Sequence, residues 1–178
     1  MSVAEHRALS PSQVACLILT VSDTRTLEND TSGQAIASLL EQAGHTVTAR
    51  RTVRDEPADV EAILRDAISG RAARVIITTG GTGISNRDST YEAVTALFEK
   101  QIDGFGELFR MLSFHEIGPA AMLSRATAGI AGGCAIFVLP GSEHAVRLAM
   151  ERLILPELGH VVRELTRHED RPRPGERA

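Results

Sequence analysis

Gly80, Gly81 and Gly83 follow directly on the β-branched run Val75-Ile76-Ile77-Thr78-Thr79, and Arg87-Asp88 and then Ser89-x-x-Glu92 come next. Such a run reads as a strand of a parallel sheet, which must be apolar on both faces. Open α/β sheets take their ligands at the carboxyl ends of strands. Glycines there lack Cβ atoms, so main-chain N–H groups can approach an anion closely. Ser89-x-x-Glu92 fits a capping box with Ser89 as N-cap and Glu92 reaching back. A helix starting there would turn its free N–H groups and positive dipole end toward the same anion. The pattern predicts a phosphate-handling site at Thr79, Gly80, Gly81, Thr82, Gly83, Ser85, Arg87 and Asp88. The alternative is a tight glycine turn with no ligand.

Two familiar phosphate loops do not fit. A nucleotide-binding loop of the G-x-x-x-x-G-K-[ST] kind requires Gly-Lys, which occurs nowhere in the chain. The dinucleotide fingerprint G-x-G-x-x-G has Asn86 in place of its third glycine, and it belongs after the first strand rather than the third.

Other strand ends should converge on this loop. The first apolar run ends in Ser22-Asp23, the second in Asp55-Glu56, and a late one in Pro140-Gly141-Ser142. Each has a plainer reading. Asp55 or Glu56 beside Pro57 can cap a helix, as can Ser142. Asp23 can close a turn, Asp88 can favour a helix dipole, and Arg25 and Arg87 can be solvated loop residues. Read jointly, carboxylates beside an anion cradle would repel phosphate unless a cation lies between them. Mg²⁺ held by Asp groups, with phosphate oxygens as further ligands, resolves that conflict. It also suits in-line attack at phosphorus.

The elements that must position these residues follow from periodicity. Strands are predicted at 14–21, 46–53 and 75–79. Helices are predicted around Ile36, Leu39, Leu40 and Ala43, stopping at Gly44, and from Pro57 to Gly70. The order β-α-β-α-β-loop-α marks a parallel sheet with right-handed crossovers. A helix is expected from Thr90 to Glu99 and another within 102–123. Two strands over 125–130 and 134–139 are joined by Gly132-Gly133, and a last helix follows Ser142, kinked at Pro156, to about Thr166. The expected organisation is a flexible N-terminus over 1–12, one α/β domain over 13–166 and a disordered Pro/Arg/Glu-rich tail over 167–178.

Composition excludes several classes. A chain of 178 residues can bury a full core. A net charge of −4, one Tyr, five Phe and no Trp argue against a polynucleotide partner. Cys16 and Cys134 sit in apolar runs and are expected as buried thiols. The six histidines are scattered, with none three or four residues from another, so a zinc site is not expected. The N-terminus does not read as a signal peptide and there is no apolar stretch of membrane-spanning length, so a cytoplasmic protein without a membrane partner is expected.

Four segments carry a resemblance: TVSDTR at 20–25, TTGGTGISNRDSTYEA at 78–93, AMLSRATAGIAGG at 121–133 and LPGS at 139–142. In this order, over about residues 12–165, the chain resembles the molybdenum cofactor biosynthesis B proteins and their relatives, the molybdopterin adenylyltransferases. SFHEIGPAAMLSRA, at 113–126, is similar to the B branch. The resemblance implies a three-layer α/β/α sandwich with a mostly parallel sheet, the molybdopterin-binding fold, assembled as a homotrimer or homohexamer. It implies transfer of AMP from ATP, with Mg²⁺, to the terminal phosphate of molybdopterin, releasing pyrophosphate. Asp55 and Asp88 match positions linked to catalysis and metal. Ser22, Asp23 and the Gly80–Ser85 loop match the nucleotide and pterin cleft, and Pro140, Gly141 and Ser142 of the LPGS segment are expected among the substrate-binding residues. Tyr91 stands where the family usually has proline, and Glu143 where proline or a neutral residue is common. The B branch also holds members of doubtful activity, so the alternative is a non-catalytic molybdopterin-binding or carrier protein.

Overall fold

The computed structural model describes residues 9–167. The expected flexible N-terminus therefore lies outside the described residues up to residue 8, and the expected tail from residue 168 onward.

Six strands form one sheet: β1 (Ala15–Val21), β2 (Thr46–Val53), β3 (Val75–Thr79), β4 (Lys100–Gln101), β5 (Thr127–Ala131) and β6 (Cys134–Leu139). Their order across the sheet is β2-β1-β3-β6-β5-β4. The first three strands and β6 run parallel, with Thr20 beside Thr79 and Thr79 beside Leu139. Their carboxyl ends therefore meet along one edge. β5 runs antiparallel to β6 and pairs Thr127 with Val138, so it is the amino end of β5 that reaches this edge. The chain moves outward from β1 to β2 and then returns past it to β3. The resulting reversal of winding between β1 and β3 opens a crevice above the sheet.

The helices are α1 (Thr31–Gln42), α2 (Pro57–Gly70), α3 (Thr90–Thr95), α4 (Asp103–Ile117), α5 (Glu143–Ala149) and α6 (Leu155–Thr166). Side chains of the central strands alternate strictly between two cores. Cys16, Ile18, Val75, Ile77, Ala135, Phe137 and Leu139 meet α1, α4, α5 and α6. Leu17, Leu19, Val21, Ile76, Ile136 and Val138 meet α2 and α3 on the other face. This is the expected three-layer α/β/α sandwich, held by burial of apolar surface on both sides of one sheet.

Three local expectations are corrected. The helix begun at Thr90 ends at Thr95, not Glu99, because Glu99 N–H donates to Ile130 O and the chain becomes the short edge strand β4. The irregularity of the last helix lies before Pro156 rather than at it. The turn before it, Met150–Ile154, widens to a π-helix in which Leu155 N–H donates to Met150 O, absorbing the bond that proline cannot make. The capping box at Ser89 does not form: Ser89 accepts no cap hydrogen bond, and its hydroxyl and Glu92 are both engaged elsewhere.

Candidate active site at the strand ends

The loop after β3 begins with two left-handed residues, Gly80 at φ +97° and Gly81 at φ +61°. Gly80 N–H donates to Leu139 O, and a Cβ on Gly80 would fall 2.1 Å from the Val21 carbonyl oxygen. Only glycine lets the chain pass between β1 and β6 here. Thr90 N–H then donates to Gly81 O, so the loop returns to the start of α3. Among the described residues none accepts a hydrogen bond from the N–H groups of Gly81, Thr82, Gly83 and Ile84. Successive unpaired N–H groups in such a turn make a concavity for an anion.

This loop forms one side of a cavity of about 430 Å³. Asp88, Pro140, Gly141 and Ser142 line it beside Gly80–Gly83, and Phe109, Ser113 and Ile117 of α4 supply an apolar wall. A smaller cavity of about 220 Å³ lies on the other side of Gly80 and Gly141, lined by Ser22, Arg25, Asp30, Ser32 and Thr79. Gly141 makes the divide thin, since a Cβ there would sit 3.3 Å from Gly80 Cα.

The acidic residues occupy different stations. Asp88 belongs to the cavity wall, and its Oδ2 accepts from Ser85 N–H at 3.0 Å. Asp55 is buried behind the loop. Its Oδ1 accepts from Ser89 N–H at 3.3 Å, Ser89 Oγ at 2.9 Å and Thr90 Oγ1 at 3.2 Å. The hydroxyl expected to cap α3 thus donates instead to Asp55, fastening the end of β2 to the start of α3. Asp55 N–H donates to Asp23 at 3.2 Å. Arg87 is not among the residues lining the cavity and joins Asp23, at 3.1 Å, to Glu56, at 2.8 Å. That bidentate partner holds the Asp23 carboxyl below its ordinary range, helped by the Asp55 N–H.

Other expected site residues are structural supports at the rim. Ser22 Oγ accepts from the N–H groups of Thr24 and Arg25. Thr79 Oγ1 donates to Pro140 O at 2.9 Å. Ser142 caps α5 by accepting from Ala145 N–H, and it also lines the larger cavity. Ser85 accepts from Arg87 N–H through its hydroxyl, closing a tight turn with Asp88.

Several further supports are set by partners the sequence reading does not bring together. Asp30 caps α1 by accepting from Gly33 N–H and also takes the Thr20 hydroxyl at 2.7 Å. Ser32 Oγ donates to Gly141 O at 2.8 Å, across 109 residues. Arg125 donates to the loop carbonyls of Thr82 and Gly83. Its place in the segment 121–133 was the only hint.

Mg²⁺ in a phosphate site takes one or two carboxylates, with phosphates and waters completing six positions. Asp88 on the cavity wall fits that donor set. The hydrogen bonds to Asp55 all fall on Oδ1, and its Oδ2 lies against Gly81, within 2.5 Å of where a Cβ would be. Among the described residues no three His, Cys, Asp or Glu side chains cluster as a protein-only metal cage. Among them, too, no helix is long and apolar enough to cross a membrane.

Residues 17–160 match the family described as "Probable molybdopterin binding domain". The molybdenum cofactor biosynthesis protein B of Bacillus anthracis is 52% identical over 168 residues, covering 94% of this chain and 99% of that protein. A crystal structure of a molybdenum cofactor biosynthesis protein B superposes with a TM-score of 0.86 at 52% identity, covering 89% of this chain and 99% of that one. The tungsten cofactor synthesizing protein MoaB from Pyrococcus furiosus superposes with a TM-score of 0.78 at 38% identity, covering 88% and 99% of the two chains.

Proposed function

The chain belongs to the molybdenum cofactor biosynthesis protein B family, and on that premise we propose that it transfers AMP from ATP to the terminal phosphate of molybdopterin, releasing pyrophosphate. The observation that carries this reading is an anion cradle and a carboxylate in one cavity: the free N–H groups of Gly81–Gly83 and the side chain of Asp88. A cradle alone would serve any phosphate binder. A carboxylate beside it opposes phosphate binding unless a divalent cation joins them, and that combination suits phosphoryl chemistry better than storage of a pterin.

The loop N–H groups would bind and orient phosphate oxygens without moving, because the glycine backbone is fixed at both ends by Leu139 and Thr90. Phe109 and Ile117 would exclude water from one side and give a heterocycle an apolar surface. The second cavity, across Gly80 and Gly141, would hold the other reactant. The two would then approach at the glycine seam, where positioning supplies much of the rate. Asp88 would hold Mg²⁺, with Asp55 setting the loop from behind. When bound, the ion supplies neutralisation of charge developing on the phosphates. In the assembled protein a homotrimer or homohexamer is proposed on the family resemblance.

The test is pyrophosphate release from ATP and molybdopterin with excess Mg²⁺ and with EDTA, beside pterin retention on a size-exclusion column. Release that needs ATP, pterin and Mg²⁺ together is expected. Pterin retained equally in EDTA, with no pyrophosphate in any condition, would overturn the enzyme and establish the non-catalytic carrier.

A further inference from the structure

Arg125 enters neither the cavity nor any step above, yet four groups converge on its guanidinium. Its Nε donates to Thr82 O at 2.9 Å and its Nη2 to Gly83 O at 2.6 Å. Nη1 pairs with Glu92 Oε1, and Nη2 also lies 3.4 Å from Glu92 Oε2. The guanidinium carbon stands 4.8 Å from the centroid of the Tyr91 ring. Arg125 reaches the loop because β5 is antiparallel and starts at the edge where β3 ends. The next residue is fixed as well, since Ala126 O accepts from Arg110 of α4 at 3.1 Å.

The consequence lies in the peptide planes. In a trans peptide the C=O and the following N–H point in opposite directions. Carbonyls of Thr82 and Gly83 turned toward Arg125 therefore turn the N–H groups of Gly83 and Ile84 away from it. Thr82 and Gly83 line the cavity and Arg125 does not, so the loop stands between the two. Peptide units on either side of a glycine flip easily, and the planar fork of an arginine holds two successive carbonyls in one fixed geometry, which the rotatable donors of an ammonium do not impose. Glu92 and the Tyr91 ring in turn fix the fork.

We propose that Arg125 is the positioning residue of the anion loop: clamped by Tyr91 and Glu92, it holds two loop carbonyls on one side so that the N–H groups of Gly83 and Ile84 face a phosphate on the other. The inference rests on the phosphate-binding reading of the loop, and it concerns orientation rather than charge.

The experiment is calorimetric titration of wild type, Arg125→Lys and Arg125→Met with ATP and, separately, with inorganic pyrophosphate, alongside the melting temperature of each. Arg125→Met should weaken both ligands at least tenfold while remaining folded. Arg125→Lys keeps the charge but not the fork, and it should lose most of the same affinity. A lysine variant with wild-type affinity would mean that charge alone acts and would overturn the proposal. So would a folded methionine variant with unchanged affinity, or a lowered melting temperature with binding intact. If the methionine variant does not fold, the lysine variant decides. Wild-type protein that binds neither ligand would remove the anion loop itself, and the role of Arg125 with it.

Discussion

The Asp55 carboxylate fills the space that a side chain at residue 81 would need. A Cβ on Gly81 would stand 2.5 Å from Asp55 Oδ2 and 2.0 Å from Thr90 Oγ1, and the residue has φ +61°. Backbone conformation and packing thus both demand glycine. Gly81→Val should therefore displace the loop and cost about 1–3 kcal/mol of stability, as overpacking does. ATP affinity should fall at least tenfold in the folded variant. Unchanged affinity by calorimetry would mean that the loop is structural only.

Asp88 and Asp55 should separate in their effects, because one lines the cavity and the other is buried behind it. Asp88→Asn should lower turnover by more than about tenfold, roughly 1.4 kcal/mol of barrier, with stability within about 0.5 kcal/mol of wild type. Asp55→Ala strands the hydroxyls of Ser89 and Thr90 and the Ser89 N–H. Thr90 is buried and Ser89 half-buried, and a stranded buried donor costs about 1–3 kcal/mol, so this variant should lose stability and turnover together. Urea melts beside the pyrophosphate assay check both. Wild-type turnover in Asp88→Asn would refute its metal-holding role.

Much of this arrangement is legible in the amino-acid sequence. The β-branched run 75–79, the glycines after it and the apolar stripes of α1 and α2 each report a local requirement, and all of them fold as read. What escaped was set by distant partners. Ser89 and Glu92 have capping-box spacing, yet Asp55 and Arg125, more than 30 residues away, take their side chains instead. β4 has two residues, too few for any period to show, and exists because β5 offers it an edge. Arg87 reads as a phosphate ligand by sequence position, and its two acidic partners come from other strand ends that no local spacing reveals.

Those neighbours give the rim a pH dependence. The Asp23 carboxyl is held below its ordinary range by Arg87. A carboxylate with a depressed folded value adds stability above its unfolded value, about pH 3.9, and loses it as pH falls through the folded one. The difference in urea midpoint between wild type and Arg87→Gln should thus be steady near neutral pH. It should shrink once pH drops below about 4, and it should be smaller in high salt, since the groups are exposed. A gap that persists undiminished in strong acid would show that Arg87 acts through something other than these carboxylates.

The two thiols test the three-layer core. Cys16 is fully buried among the residues facing α1 and α4, and Cys134 among those facing α2. They lie on opposite faces of the sheet, so the body of the sheet stands between them, and both are free. Burial pushes the Cys16 thiol up to about 12, and it raises Cys134 as well. The thiolate is the reactive form. At pH 8 a thiol titrating near 12 is ionised to only about one part in ten thousand. Burial also keeps a reagent away, so labelling must wait for the core to open. In native protein neither cysteine should react with an aromatic disulfide over minutes, whereas two equivalents should react at once in denaturant. The native rate should rise with urea in step with the loss of structure. Prompt labelling of one equivalent without denaturant would mean that a face of the sheet is open to solvent, and that its helical layer does not pack as described.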